Sequence, residues 1–74
     1  MMIEVRLFAT FREGRDKVSF LDPNNYKNAG EILDHLKIPR KEVAILLING
    51  LSSPADAPVK DGDVLALFPP VGGG

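Results

Sequence analysis

A single stretch, Asn28 to Ile38, spaces its apolar residues as a helix does, and it is set among segments with the period or length of strands. Ala29, Ile32, Leu33 and Leu36 fall on one helical face, while Glu31, Asp34, His35 and Lys37 fall elsewhere. Asn28-Ala29-Gly30-Glu31 has the capping-box form, an Asn side chain for a free backbone N–H and a Glu three residues on that reaches back, so the helix should start there. Pro39 biases Ile38 away from helical geometry and should end it. One helix covers one face of a sheet and no more. The expected class is therefore α+β, with the other sheet face uncovered.

The strands are read from alternation and from turn residues. Ile3, Val5 and Leu7 alternate with Glu4 and Arg6, and Val18 and Phe20 share one side of a second strand, with a turn at Gly14 making a hairpin of the two. Val43 to Ile48 is apolar throughout and reads as a central strand covered on both faces along much of its length. Asn49-Gly50 is the preferred pair for a type I′ turn, so a short strand should follow at Leu51 and Ser52. The proline-bearing stretch after it is loop, and Val64 to Phe68 is the last strand. Ile3, Val5, Leu7, Leu65 and Leu67 are assigned to the helix side; Glu4, Arg6, Phe8, Val64, Ala66 and Phe68 then lie on the open side.

With 74 residues and no cysteine, the chain is expected to be one small domain that relies on apolar packing, without disulfides or thiolate-held metals. A net charge of −1 with scattered acids and bases gives no footprint for nucleic acid or anionic lipid. Glu4 and Arg6 interrupt the first apolar run, which cannot serve as a signal-peptide core, and no run reaches membrane-spanning length. A soluble, cytoplasmic protein is expected. His35 is the only histidine and belongs to the polar side of the helix; Asp61 and Asp63 flank Gly62 as turn residues and fall short of a calcium ligand set. No metal site is expected, and no residues are spaced for catalysis within the chain.

The sequence ends in "FPPVGGG", residues Phe68 to Gly74. Three successive glycines have no side chain to bury and the largest backbone entropy to lose, so they do not stabilise a fold. Pro69 and Pro70 cannot donate to a sheet ladder and favour an extended arm, and the six residues from Pro69 to Gly74 span roughly 20 Å when extended. Such an arm reaches a buried pocket in a partner. Phe8 and Phe68 on the open face, with Pro69, Pro70 and Val71 as a side-chain anchor, form the expected partner-binding patch, since aromatics are enriched at interface centres. The division expected is a domain over 1–68 and a tail over 69–74.

The order of elements, the "LINGL" hairpin, the "KDGDVLAL" run into the last strand and the "FPPVGGG" end together resemble the small subunit of molybdopterin synthase, the MoaD-like branch of the ubiquitin-like, β-grasp sulfur carriers. The resemblance spans nearly the whole chain and implies a mixed sheet of four to five strands with one main helix on one face. One position departs from it. That branch often carries a small non-glycine residue where this chain has Gly72, and a triple-glycine end is also familiar in thiamine-type (ThiS-like) carriers, although Pro69 and Pro70 tilt toward the molybdopterin branch.

The resemblance further implies that the Gly74 carboxylate is the reactive group, with Gly72 and Gly73 as the slender approach to it. A MoeB-like adenylating enzyme would use ATP to convert it to an acyl-adenylate, and a sulfur donor such as a cysteine desulfurase or rhodanese-like protein would replace AMP to leave a thiocarboxylate. A MoaE-like large synthase subunit would receive the tail and pass sulfur to a pterin precursor. On this reading the chain binds no cofactor and has no catalytic residues of its own; it donates sulfur within a transferase complex. A thiamine-type carrier, a protein-conjugating tag and a noncatalytic β-grasp interaction module remain open beside it.

Overall fold

The computed structural model describes residues 2–70. The order is β1 (Ile3–Leu7), β2 (Val18–Leu21), α1 (Ala29–Leu36), β3 (Ile45–Ile48), β4 (Leu51–Ser52) and β5 (Val64–Phe68), with short 3₁₀ turns between. The strands form one sheet in the spatial order β2-β1-β5-β3-β4. β1 and β5 are parallel and the other pairs antiparallel. With α1 on one face, this mixed five-stranded sheet is the β-grasp fold.

The helix begins as its sequence dictates. The Asn28 side chain accepts the Glu31 N–H at 3.0 Å, and the Glu31 carboxylate accepts the N–H of Lys27, one residue before the cap, at 2.7 Å. Its end differs from expectation. Lys37 adopts a left-handed conformation (φ +60°), the Ile38 N–H returns to the Leu33 carbonyl and the Lys37 N–H to that of Asp34. This Schellman closure stops α1 at Leu36, before Pro39 is reached. Arg15, from the β1–β2 connection, donates to the carbonyls of Leu36 (3.0 Å) and Lys37 (3.2 Å), which satisfies acceptors that a helix C-terminus leaves open, and also to that of Phe11 (3.3 Å) in its own connection.

The core lies between α1 and the sheet. Ile3, Val5, Leu7, Leu65 and Leu67 point inward against Ala29, Ile32 and Leu33, as the alternation predicts, and Phe11 and Ile38 close its edge. β3 departs from the expectation of burial on both faces. It lies beside β5, which is the central strand, and only its helix side is covered: Leu46 is buried while Ile45 is 47% exposed. A continuous apolar run resembles a doubly covered strand, but a single helix has no second layer to offer it. The Asn49-Gly50 turn has both residues at positive φ (+54° and +83°), as a type I′ hairpin requires.

Candidate functional site: an aromatic face at the root of the tail

Because β1 and β5 run parallel with Leu7 opposite Leu67, the residues that follow, Phe8 and Phe68, stand side by side at the end of the pair. Both project from the face opposite α1, since their neighbours Leu7 and Leu67 are buried against the helix. Their rings stack, with centroids 4.4 Å apart and planes within 8°. Backbone bonds fix the pair in place: the Phe8 N–H donates to the Leu67 carbonyl and the Ala44 N–H to that of Phe68. Pro69 is half-buried beyond Phe68, and Pro70 is exposed.

The open face is more apolar than β1 alone suggests. Ile45 pairs with Phe68 and Leu47 with Ala66, so β3 extends the patch on one side. On the other side β2 presents Val18 and Phe20, which is 59% exposed, opposite Arg6 and Glu4. Those two charged residues pair with each other across the middle of the face. Arg12 had no assigned role in the sequence; its Nε donates to the Leu7 carbonyl at 2.7 Å, and its guanidinium stands 5.2 Å from the Phe8 ring centroid. That contact adds a cation–π element to the aromatic pair. Only the hairpin geometry brings it there, and no periodicity would have marked it.

Of the expected site residues, Phe8, Phe68, Pro69 and Pro70 are thus grouped at one end of the open face. Val71, Gly72, Gly73 and Gly74 lie outside the described residues. Phe11 is buried in the core and does not join the patch. His35 is exposed and meets Tyr26 edge-on at 5.6 Å. Among the described residues, no three histidine, cysteine or carboxylate side chains gather as a metal site. No described helix is long and apolar enough to cross a membrane. A cleft of about 210 Å³ opens elsewhere, between α1 and the β3–β4 edge, lined by Leu33, Arg40, Leu46 and Ser53 among others.

The far end of β5 holds the one buried carboxylate described. Asp63 is 3% exposed and accepts from the Asn49 side-chain amide and the Lys60 N–H, each at 2.9 Å. Burial pushes its pKa up, but these hydrogen bonds and the nearby Lys60 charge outweigh that and hold it below the ordinary 3.8. The pair Asp61 and Asp63 is therefore turn chemistry; Asp63 is committed to the fold.

Comparisons with known proteins agree with this architecture. SAMP1 from Haloferax volcanii is similar at 28% identity over all of both chains, with a TM-score of 0.75. The HVO 2177 protein of the same organism is 33% identical, over all of this chain and 87% of that one, with a TM-score of 0.71. The complex of subunits 1 and 2 of molybdopterin-converting factor from Helicobacter pylori contains a chain 29% identical over the full length of both, with a TM-score of 0.66. No curated protein sequence matches. The ThiS family matches from residue 5 to residue 74, through the sheet, the helix and the glycine end. The chain belongs to the ThiS family.

Proposed function

We propose that the chain is a sulfur carrier whose Gly74 carboxylate is adenylated and converted to a thiocarboxylate, and that it donates this sulfur as the small subunit of molybdopterin synthase. In the activation step the carboxylate oxygen bonds to the α-phosphorus of ATP and pyrophosphate leaves. A donor persulfide's terminal sulfur then bonds to the acyl carbon and AMP leaves, and a second thiol takes the donor sulfur as a disulfide and frees the thiocarboxylate. An ionised carboxylate is a poor acyl donor without such activation, so the adenylating enzyme and the sulfur donor are required partners in the cytoplasm.

The observation that carries the reading is the Phe8–Phe68 stack at the root of the arm. A stacked, partly exposed aromatic pair with an arginine beside it has the residue types that dominate interface centres. The last residue of β5 is also the last before Pro69, so a partner that grips this face fixes where the arm starts. The similarity to a two-subunit molybdopterin-converting factor supports a MoaE-like occupant. The test is reconstitution with a molybdopterin synthase large subunit: the thiocarboxylated chain should support product formation and the chain lacking Gly74 should not. Equal activity of the two would reject the reading.

A second reading rests on SAMP1, described as a small archaeal modifier protein, which is similar over nearly all of this chain. In that case the activated Gly74 would be transferred to an amine of another protein. A thiamine-type carrier shares the same activation and differs only in its acceptor.

A further inference from the structure

The Asn49–Asp63 contact takes no part in the proposed sulfur chemistry, since it lies at the end of β5 remote from Phe68. Asn-Gly is the dipeptide most open to loss of side-chain ammonia, because glycine has no Cβ to hinder its nitrogen. Gly50 sits in open space, where a Cβ would meet nothing within 4 Å. What holds the reaction back is the Asn49 side chain. Its Oδ1 accepts the Val64 N–H and its Nδ2 donates to Asp63 Oδ1, each at 2.9 Å, and the Asn49 N–H donates to the Val64 carbonyl. Turning the side chain toward the Gly50 nitrogen would break both side-chain bonds.

We propose that Asn49 is a modification site that the fold holds closed: it loses ammonia only when the β3–β4 turn opens, and the carboxylate left against Asp63 unlatches that turn from β5. In the reaction the Gly50 nitrogen bonds to Asn49 Cγ and releases its proton to water, while the Cγ–Nδ2 bond breaks and ammonia leaves. Water then opens the cyclic imide to aspartate or isoaspartate. The balance is one water in and one ammonia out. The product places acceptor against acceptor where a donor met Asp63, whose carboxylate is almost fully buried even though Asn49 itself is exposed. Lys60 Nζ, 3.6 Å from Asp63 Oδ1, is then shared between two carboxylates. The isoaspartate form also inserts a methylene into the backbone of a two-residue turn, whose register it breaks.

Peptide mapping of the full chain, held folded or in urea at neutral pH, tests the first half of the proposal. Conversion at residue 49 should be about ten-fold or more slower in the folded chain, because it waits on local opening; equal rates would overturn it. Thermal melting of two variants tests the second half. Asn49→Asp should lower Tm by on the order of 10 °C, and Asn49→Asp combined with Asp63→Asn, which restores one donor and one acceptor with roles exchanged, should recover most of that loss. An Asn49→Asp chain that melts with the parent, or a double variant no more stable than the single, would overturn the latch.

Discussion

Phe8 and Phe68 stack at 4.4 Å at the ends of the parallel β1–β5 pair, so the residue that follows the opening strand rests on the residue from which the tail departs. An aromatic pair of this kind contributes about 0.5–1.5 kcal/mol beyond its buried area. The two rings are the root of the tail and, in the function proposed above, the surface that a partner grips.

Truncating either ring separates those two roles. Phe68→Ala should weaken binding to a molybdopterin synthase large subunit by roughly 2 kcal/mol, about thirty-fold, as loss of a central interface anchor does. Titration calorimetry measures the binding, and circular dichroism checks that the fold is kept. A folded variant that binds as tightly as the parent would remove this face from the interface.

Two neighbours on β3 report its one-sided burial. Leu46→Ala should cost about 2–5 kcal/mol, because Leu46 is 6% exposed on the helix side, whereas Ile45→Ala on the open side should cost within about 1 kcal/mol. Urea unfolding of the pair measures the contrast. Equal losses would return β3 to burial on both faces.

Arg15 joins the first hairpin to the end of α1 through the Leu36 and Lys37 carbonyls, and is held in its own connection by that of Phe11. Arg15→Ala should destabilise the domain by about 1–2 kcal/mol, since charged donors strengthen such bonds and their loss exposes helix-end acceptors to water only in part. Hydrogen exchange at Lys37 and Ile38, whose amides close the helix, should accelerate in the variant.

Asp63 sets an acid limit on stability. Its folded pKa lies below the ordinary 3.8, so its contribution is fully present above that value and is lost as pH falls through the lower folded value. Asn49→Ala removes one of the bonds that lower it, so the folded value rises toward 3.8 and the variant, less stable at neutral pH, should lose less further stability as pH falls below that value than the parent does. Tm measured against pH for the two proteins checks the direction of the shift.

Much of the fold was legible because its elements are locally consistent. The alternation of β1, the Asn28 cap and the Asn49-Gly50 turn each specify their own geometry from a few adjacent residues. Two features were not. The end of α1 is set by a lysine in a left-handed conformation and by Arg15 from another element, neither of which has a local signature comparable to Pro39. The uncovered side of β3 follows from the number of layers in the fold and cannot be read from the apolar run itself. Of the candidate site, Phe8 and Phe68 were found by counting faces. Arg12 and Ile45 were missed, because their places depend on which strands become neighbours.

The central claim concerns the chemical fate of Gly74, and intact-mass analysis of the protein produced together with an adenylating enzyme and a sulfur donor reads it directly. The account predicts a mass gain equal to replacement of one oxygen by sulfur, located at the C-terminal residue and absent from the chain lacking Gly74. An unchanged mass, under conditions that thiocarboxylate a known sulfur carrier, would contradict it.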